Sequence, residues 1–283
     1  MALLTKKLPA FTGTAPGQTA SCRIPAGFTY HSIVFTATDP GGSDIFDWNK
    51  ISEVRLIANG TIIQRYSGGE LRVMNQYDRA SGGYGKTIPL VVACDRTRLR
   101  TRANVESTGI PFGALNDPRP IYTMLLEVDL ASNAPADTVL EGYSIVSPPV
   151  DLNNTPAVLK QVRKFIYSPT GAGDFEIADL PRAGLISRMF FSNPDKIDNI
   201  VVSMDSTEVW NRTRELNKFI IDGGHFKDLS SAGTYIFPID TTENGYGNDV
   251  WDLSGVSDFR LRLKMNGAAT LKLSVEYLAP LPV

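Results

Sequence analysis

Residues 259–280 read FRLRLKMNGAATLKLSVEYLAP, and their spacing decides the fold class. Phe259, Leu261, Leu263 and Met265 fall on one side of an extended chain, with Arg260, Arg262 and Lys264 on the other. Side chains alternate faces along a strand, so this is a strand with one apolar and one wet face. Asn266-Gly267 is a strong turn signal, after which Leu271, Leu273, Val275 and Tyr277 resume the alternation. The pattern predicts a β-hairpin whose outward residues include Lys272, Ser274 and Glu276.

Working outward, shorter apolar runs of the same kind occur at HSIVFTAT (31–38), IPLVVACD (88–95), IYTMLLEVDL (121–130) and NIVVSMD (199–205). Loops rich in Gly, Pro, Asn and Asp separate them, the punctuation of sandwiches and barrels. Helical spacing is confined to two short pieces. GGELRVMNQY (68–77) places Leu71, Met74 and Tyr77 on one face, and STEVWNRTRELNKFII (206–221) carries Val209, Trp210, Leu216, Phe219 and Ile220.

These elements recur in order. ISEVRLIANG (51–60) aligns with IDNIVVSMDS (197–206) at an offset of 146, Ile51 on Ile197, and Glu70-Leu71 falls on Glu215-Leu216 at 145. CRIPAGFTYHSIVF (22–35) resembles ADLPRAGLISRMFF (178–191), with Ile24-Pro25 on Leu180-Pro181. LEGYSIVSPP (140–149) resembles SVEYLAPLP (274–282), with Glu141 on Glu276. Collinear self-similarity of this kind implies two β-rich units of about 140 residues. The proline-rich stretch SPPVDLNNTPAV (147–158) has linker composition, so the first unit is expected over 1–150, the linker over 151–168, with LKQVRKFIY (159–167) as a short bridging helix or strand, and the second unit over 169–283. FEIADLPRAGLISRMFF (175–191) then reads as the first strand edge, turn and core strand of the second unit, with Leu185, Met189 and Phe191 facing the core.

Composition narrows the function. Of 283 residues, 42% are hydrophobic and 20% charged, below the roughly 25% usual for soluble domains, which implies extra burial against a second domain or other subunits. A net charge of -2 gives no reason to expect nucleic acid, which needs a concentrated basic face. The local exception, DRTRLRTR (95–102), reads as a solvated edge or subunit contact. Cys22 and Cys94 are too few for a disulfide framework and read as small buried apolar residues. The opening MALLTKKLPA has too short an apolar run for a secretory signal, so the protein is expected to act where it is made or to be packaged from there.

Chemistry is sparse. The histidines are His31 and His225, and neither lies in a nucleophile signature or at zinc spacing. No Gly-rich phosphate loop is present, so no catalytic or cofactor-binding residue is assigned. The best metal candidate is DTTENGYGNDVWD (240–252), which opens like a calcium loop but places Trp251 where a bidentate Glu is needed. It reads either as a plain polar loop or as a calcium site in another geometry, through Asp240, Asn244, Asp249 and Asp252. Phe46 and Trp48, in the turn-rich insertion DPGGSDIFDWNK (39–50), suit sugar or subunit binding if exposed and core packing if tucked in.

Three stretches together resemble the major capsid proteins of corticoviruses, which are icosahedral, tailless bacteriophages with a membrane inside the shell. They are FEIADLPRAG (175–184) followed by strands, VRLIANGTIIQRYSGGELRVMNQY (54–77) and LSVEYLAP (273–280). The insertion around Trp48 and the segment 103–119 depart from that pattern. The resemblance implies an all-β fold of two tandem eight-stranded jelly rolls with a few short helices. It implies a homotrimer of pseudo-hexagonal outline that tiles facets over an internal membrane beside neighbouring capsomers and penton or minor capsid proteins. The protein would reside in the virion capsid after assembly in the host cytoplasm, and calcium is an ion the resemblance adds. The rival readings are a two-domain β-sandwich carbohydrate-binding protein or glycosidase, using Phe46, Trp48 or Trp251, and a minor vertex or spike protein of the same virus.

Overall fold

The structure, a computed structural model, describes residues 3–41, 46–78, 89–94, 109–182, 184–223, 237–241 and 250–281. The chain divides into two compact units, 1–161 with 280–283, and 162–279.

In the first unit one sheet runs β1 (Leu4–Lys7), β9 (Val139–Ser147), β3 (Phe28–Thr38), β6 (Leu90–Ala93), with β7 (Ile110–Phe112) on the other end of β3. The second sheet runs β2 (Thr19–Arg23), β8 (Met124–Leu130), β4 (Ile51–Ala58), β5 (Thr61–Tyr66). Helix α1 (Gly68–Tyr77) joins β5 to β6. The second unit repeats this plan. One sheet runs β10 (Val158–Tyr167), β18 (Leu271–Pro280), β12 (Leu185–Phe191), β15 (Phe237–Asp240), with β16 (Trp251–Asp252) on β12. The other runs β11 (Ala172–Ile177), β17 (Phe259–Asn266), β13 (Ile197–Met204), β14 (Thr207–Thr213), and helix α2 (Arg214–Gly223) follows β14.

Leaving aside the short β7 and β16, each unit has eight strands among the described residues. One sheet takes them in the order first, eighth, third, sixth, and the other second, seventh, fourth, fifth. That is the strand order of a jelly roll, so the fold is two tandem jelly rolls, all-β as expected.

The rolls share irregularities as well as order. The third strand slips against the eighth between Tyr30 and Ser32 in one roll and between Ile186 and Arg188 in the other. The fourth slips against the seventh at Ile51/Glu53 and at Ile197/Asn199, and against the fifth at Leu56/Ile57 and at Val202/Ser203. Bulges redirect side chains at defined points, so three at matching places tie the units together residue by residue.

Several sequence expectations change here. Residues 259–280 form two strands, but not a hairpin: β17 and β18 lie in different sheets. Their apolar faces, Phe259 to Met265 and Leu271 to Tyr277, belong to one buried core, which two side-by-side strands of a single sheet would not enclose. Ser274 and Glu276 are consequently buried rather than solvated, because β18 is covered on both faces. FEIADLPRAGLISRMFF spans the second and third strands of its roll. The first is β10, within the stretch expected as linker, and its burial does not alternate, so a period of two passes over it. The slip around Ser187 puts Ile186 and Met189 together in the core and leaves Leu185 half-buried. Gly184 has φ 108, which favours glycine, and a Cβ there would meet the Leu278 carbonyl oxygen at 3.0 Å.

Of the expected helices, α1 forms as read, with Leu71, Met74 and Tyr77 buried and a capping box between Ser67 and Glu70. The stretch 206–221 is helical only from Arg214, since Thr207–Thr213 pairs as β14. Leu216 and Phe219 point outward, and Asn217 and Ile221 are the buried residues. The Thr213 hydroxyl accepts from Leu216 N at 3.2 Å, as Ser67 does from Glu70 N, so Glu70 corresponds to Leu216 rather than Glu215. The strand register likewise sets Glu276 against Ile145, four residues from Glu141: Ser32 faces Ile145 as Arg188 faces Glu276.

Candidate functional site

No catalytic arrangement is assembled among the described residues. His31 is buried in β3 and shares a 2.9 Å hydrogen bond between Nε2 and the Ser147 hydroxyl. Cys22 and Cys94 are buried thiols outside any disulfide, and burial pushes the Cys22 thiol up to about 11, away from reactivity. His225 and the basic run 95–102 lie outside the described residues.

Of the aromatics proposed for sugar binding, Phe46 and Trp48 are inside. Trp48, 1% exposed, packs edge-on against Phe46 at 5.5 Å and Phe35 at 6.3 Å. Trp251 is half-buried against Trp210 and Phe259. The core reading therefore replaces the ligand reading for Phe46 and Trp48, because a ring enclosed on both faces offers none to a sugar.

Of the four metal candidates, Asn244 and Asp249 lie outside the described residues. Asp240 is buried in β15 opposite Arg188, and Asp252 is opposite Leu185 in β16. The Asp252 carboxylate accepts from Ser254 N at 2.9 Å, and that backbone hydrogen bond holds it below the usual carboxylate range. Among the described residues no three His, Cys, Asp or Glu side chains gather to hold an ion. Asp240 and Asp252 alone supply too few oxygens for calcium's six to eight.

Asp240 is also part of a buried charge row across one sheet of the second roll. Arg188 in β12 has Asp240 as its register partner on one side and Glu276 on the other. It grips Glu276 through two bonds, Nε to Oε2 at 2.7 Å and Nη2 to Oε1 at 3.0 Å. A forked pair is what compensates two charges taken out of water.

The outward faces of the other two sheets differ between the rolls. On the first roll, Arg55 in β4 bonds Glu127 and Asp129 of β8 and Glu53 of its own strand, and Arg65 of β5 also reaches Glu53. Burial opposes ionisation of Glu53, but its bonds from Arg65 and Arg55 outweigh that and hold its pKa below the ordinary value. Burial likewise works against the Arg55 cation, and the surrounding carboxylates more than restore it. Beyond the network the same face turns apolar, with Leu125 opposite Ile57 and Ile57 opposite Ile62. The face of the second roll carries Arg260, Arg262 and Lys264, all exposed, with Glu176 bonded to Arg260 at 3.0 Å.

None of these described surfaces gathers the groups of a reaction centre. Sequence reading found the charged residues of β17 but missed the Arg55 network, whose members lie 53 to 129 along the chain and meet only through sheet pairing.

Comparison with known proteins gives the faces a context. Residues 5–147 match the family model described as viral coat protein P2 N-terminal domain, and residues 159–281 match viral coat protein P2 C-terminal domain. No curated protein matches the chain by sequence. Among solved structures, the major capsid protein P2 from bacteriophage PM2 superposes with a TM-score of 0.83 at 18% identity, over 99% of this chain and 98% of that one. The major capsid protein of Sulfolobus turreted icosahedral virus gives 0.67 at 12% identity, over 100% and 98%. Capsid protein VP54 of PBCV-1 gives 0.63 at 10%, over 98% and 93%. Identities this low speak for the fold, and the family models speak for the family.

Proposed function

The chain belongs to the viral coat protein P2 family, a structural part of a virion and no enzyme, and on that premise we propose how it builds the shell. It is a major capsid protein that trimerises, so that three copies of two rolls present six similar sides. These pseudo-hexagonal capsomers tile the facets of an icosahedral shell beside neighbouring capsomers and penton or minor capsid proteins. The observation that carries this is the duplication itself: two rolls with one strand order and three matching bulges make near-equivalent sides from a single chain. Closed cyclic assembly from such subunits is the common outcome for homo-oligomers.

The resemblance to corticoviruses supports an internal membrane beneath the shell and assembly in the host cytoplasm. Among the described residues no helix is long and apolar enough to cross a membrane, so the reading places lipid contact with membrane proteins or surface loops. No part of it rests on calcium. Multi-angle light scattering of the purified protein is expected to give a trimer, and gradient-purified particles to carry this chain as their most abundant protein. A monomer at all concentrations, or a low copy number suited to a vertex spike, would overturn the reading.

A further inference from the structure

The chain passes between the two units twice, after Gln161 and after Ala279. Both crossings fall within strands, β10 and β18, which are hydrogen-bonded neighbours in one sheet. The rolls are therefore joined by a two-stranded ribbon, and the proline-rich stretch 147–158 lies wholly inside the first unit. Two domains on a single flexible tether open independently, each at its own free energy.

The first-unit end of the ribbon is fastened on both of its strands. On the way to β10, Leu115 N–H donates to Val150 O at 3.0 Å, Leu152 N–H to Leu115 O at 3.1 Å and Asn154 N–H to Asn116 O at 3.0 Å. The Asp151 carboxylate accepts from Asn153 N at 2.9 Å and from Asn116 Nδ2 at 3.0 Å. Asn116, Asn153 and Asn154 all have positive φ, which asparagine tolerates, so the chain takes this tight path without glycine. In β10 itself, the buried Gln64 donates Nε2 to Lys160 O at 3.3 Å and to Ala93 O at 3.0 Å, while its Oε1 accepts from the Tyr66 hydroxyl at 2.9 Å. On the way back, Gln161 Nε2 donates to Pro280 O at 2.9 Å and Arg119 Nη1 to Leu281 O at 3.1 Å. Leu281 is buried. One short segment, Leu115 to Arg119, thus holds both the outgoing lead and the returning tail.

We propose that these residues form a clamp that makes the first roll depend on the second, so that the two open as one cooperative unit. Residues 280–281 follow the last strand of the second roll in the chain, yet they complete the first unit. Releasing them strips the buried Gln161 amide of its Pro280 acceptor and the Leu115–Arg119 segment of its tie to Leu281, so a loss at the tail is felt in the first roll.

Hydrogen exchange read by mass spectrometry over a urea series, on the full chain, reports the opening of each roll separately. In the wild type, peptides of both rolls are expected to lose protection at the same urea concentration. Arg119→Ala with Gln161→Leu removes both side-chain donors to the tail. In that variant, first-roll peptides should open at lower urea than second-roll peptides, exchanging at least about tenfold faster than in wild type at a fixed concentration. Arg119→Lys, which keeps a donor, should stay close to wild type. Independent opening of the wild-type rolls, or a double variant whose rolls still open together at the wild-type concentration, overturns the proposal. If the double variant does not fold, the Leu152 and Asn154 amides of the wild type decide. Exchange there at least about tenfold slower than in an unprotected chain upholds the clamp, and anything faster overturns it.

Discussion

Asn59 and Asp205 hold the same position in the two rolls and make the same lock. Each starts the left-handed turn between fourth and fifth strands, at φ 48 and φ 45. Asn59 Oδ1 accepts from Tyr122 N at 2.7 Å and Thr123 N at 3.1 Å; Asp205 Oδ1 accepts from Ser257 N and Asp258 N, both at 2.9 Å. Their own N–H groups donate to Thr123 O and Asp258 O at 2.9 and 2.8 Å. Only a short side chain bearing an oxygen, on a residue tolerant of positive φ, does both tasks, and Asn and Asp are those residues.

Replacing either oxygen should therefore cost stability, while exchanging the two residues should not. Asn59→Ala and Asp205→Ala are each expected to lose about 1–3 kcal/mol, the penalty for unmade hydrogen bonds plus backbone strain. Asp205→Asn should stay within about 0.5 kcal/mol, since the amide oxygen can accept the same two bonds and no cavity or unpaired group is created. Urea unfolding measures this, and an alanine variant as stable as wild type would show that the lock carries no load.

The residue after Asp205 is Ser206 at φ 67, where the first roll has Gly60 at φ 78. A left-handed conformation costs a non-glycine residue about 1–2 kcal/mol. Ser206→Gly is expected to raise the thermal midpoint, the relief partly offset by the greater freedom of glycine in the unfolded chain. A lowered midpoint would mean that the serine hydroxyl matters more than its backbone.

Arg188 and Glu276 are 5% and 2% exposed, so breaking their fork strands a buried carboxylate. Arg188→Met is expected to destabilise by about 3–5 kcal/mol, and adding Glu276→Leu to recover much of that loss. A double variant no better than the single one would show that the pair is not the source of the loss.

Stability should also fall in acid partly through Glu53. Its folded-state pKa is depressed, so its contribution is present above the unfolded value of about 4.3 and is lost as pH falls through the folded value. Glu53→Gln should destabilise at neutral pH and matter progressively less below about pH 4. An equal loss at both pH values would place its role in packing instead of charge.

How much of this was legible beforehand follows from distance along the chain. The Asn59-Gly60 turn, the α1 face and the alternation in β4 and β17 are written within a few residues, and all appear where the pattern puts them. The repeat at 146 was legible because strand–turn–strand units keep their internal spacing. β10 was legible only as a helix or a strand, because a strand covered unevenly along its length shows no period, and the apolar residues within 214–221 hid that Leu216 and Phe219 face out. That Asp240 sits opposite Arg188 was not legible either, since the two are 52 residues apart in the chain.

By itself, then, the sequence determined an all-β chain and its duplication, for each depends on composition or on neighbours close in the chain. Which strands pair was decided only in three dimensions. Adjacent strands β17 and β18 went to opposite sheets because their apolar faces could be enclosed only across a core. The same pairing brought Arg55 to its three carboxylates and set Glu127 and Asp129 where the other roll has Arg262 and Lys264. Long-range register, which local spacing does not encode, turned a repeated fold into two different faces.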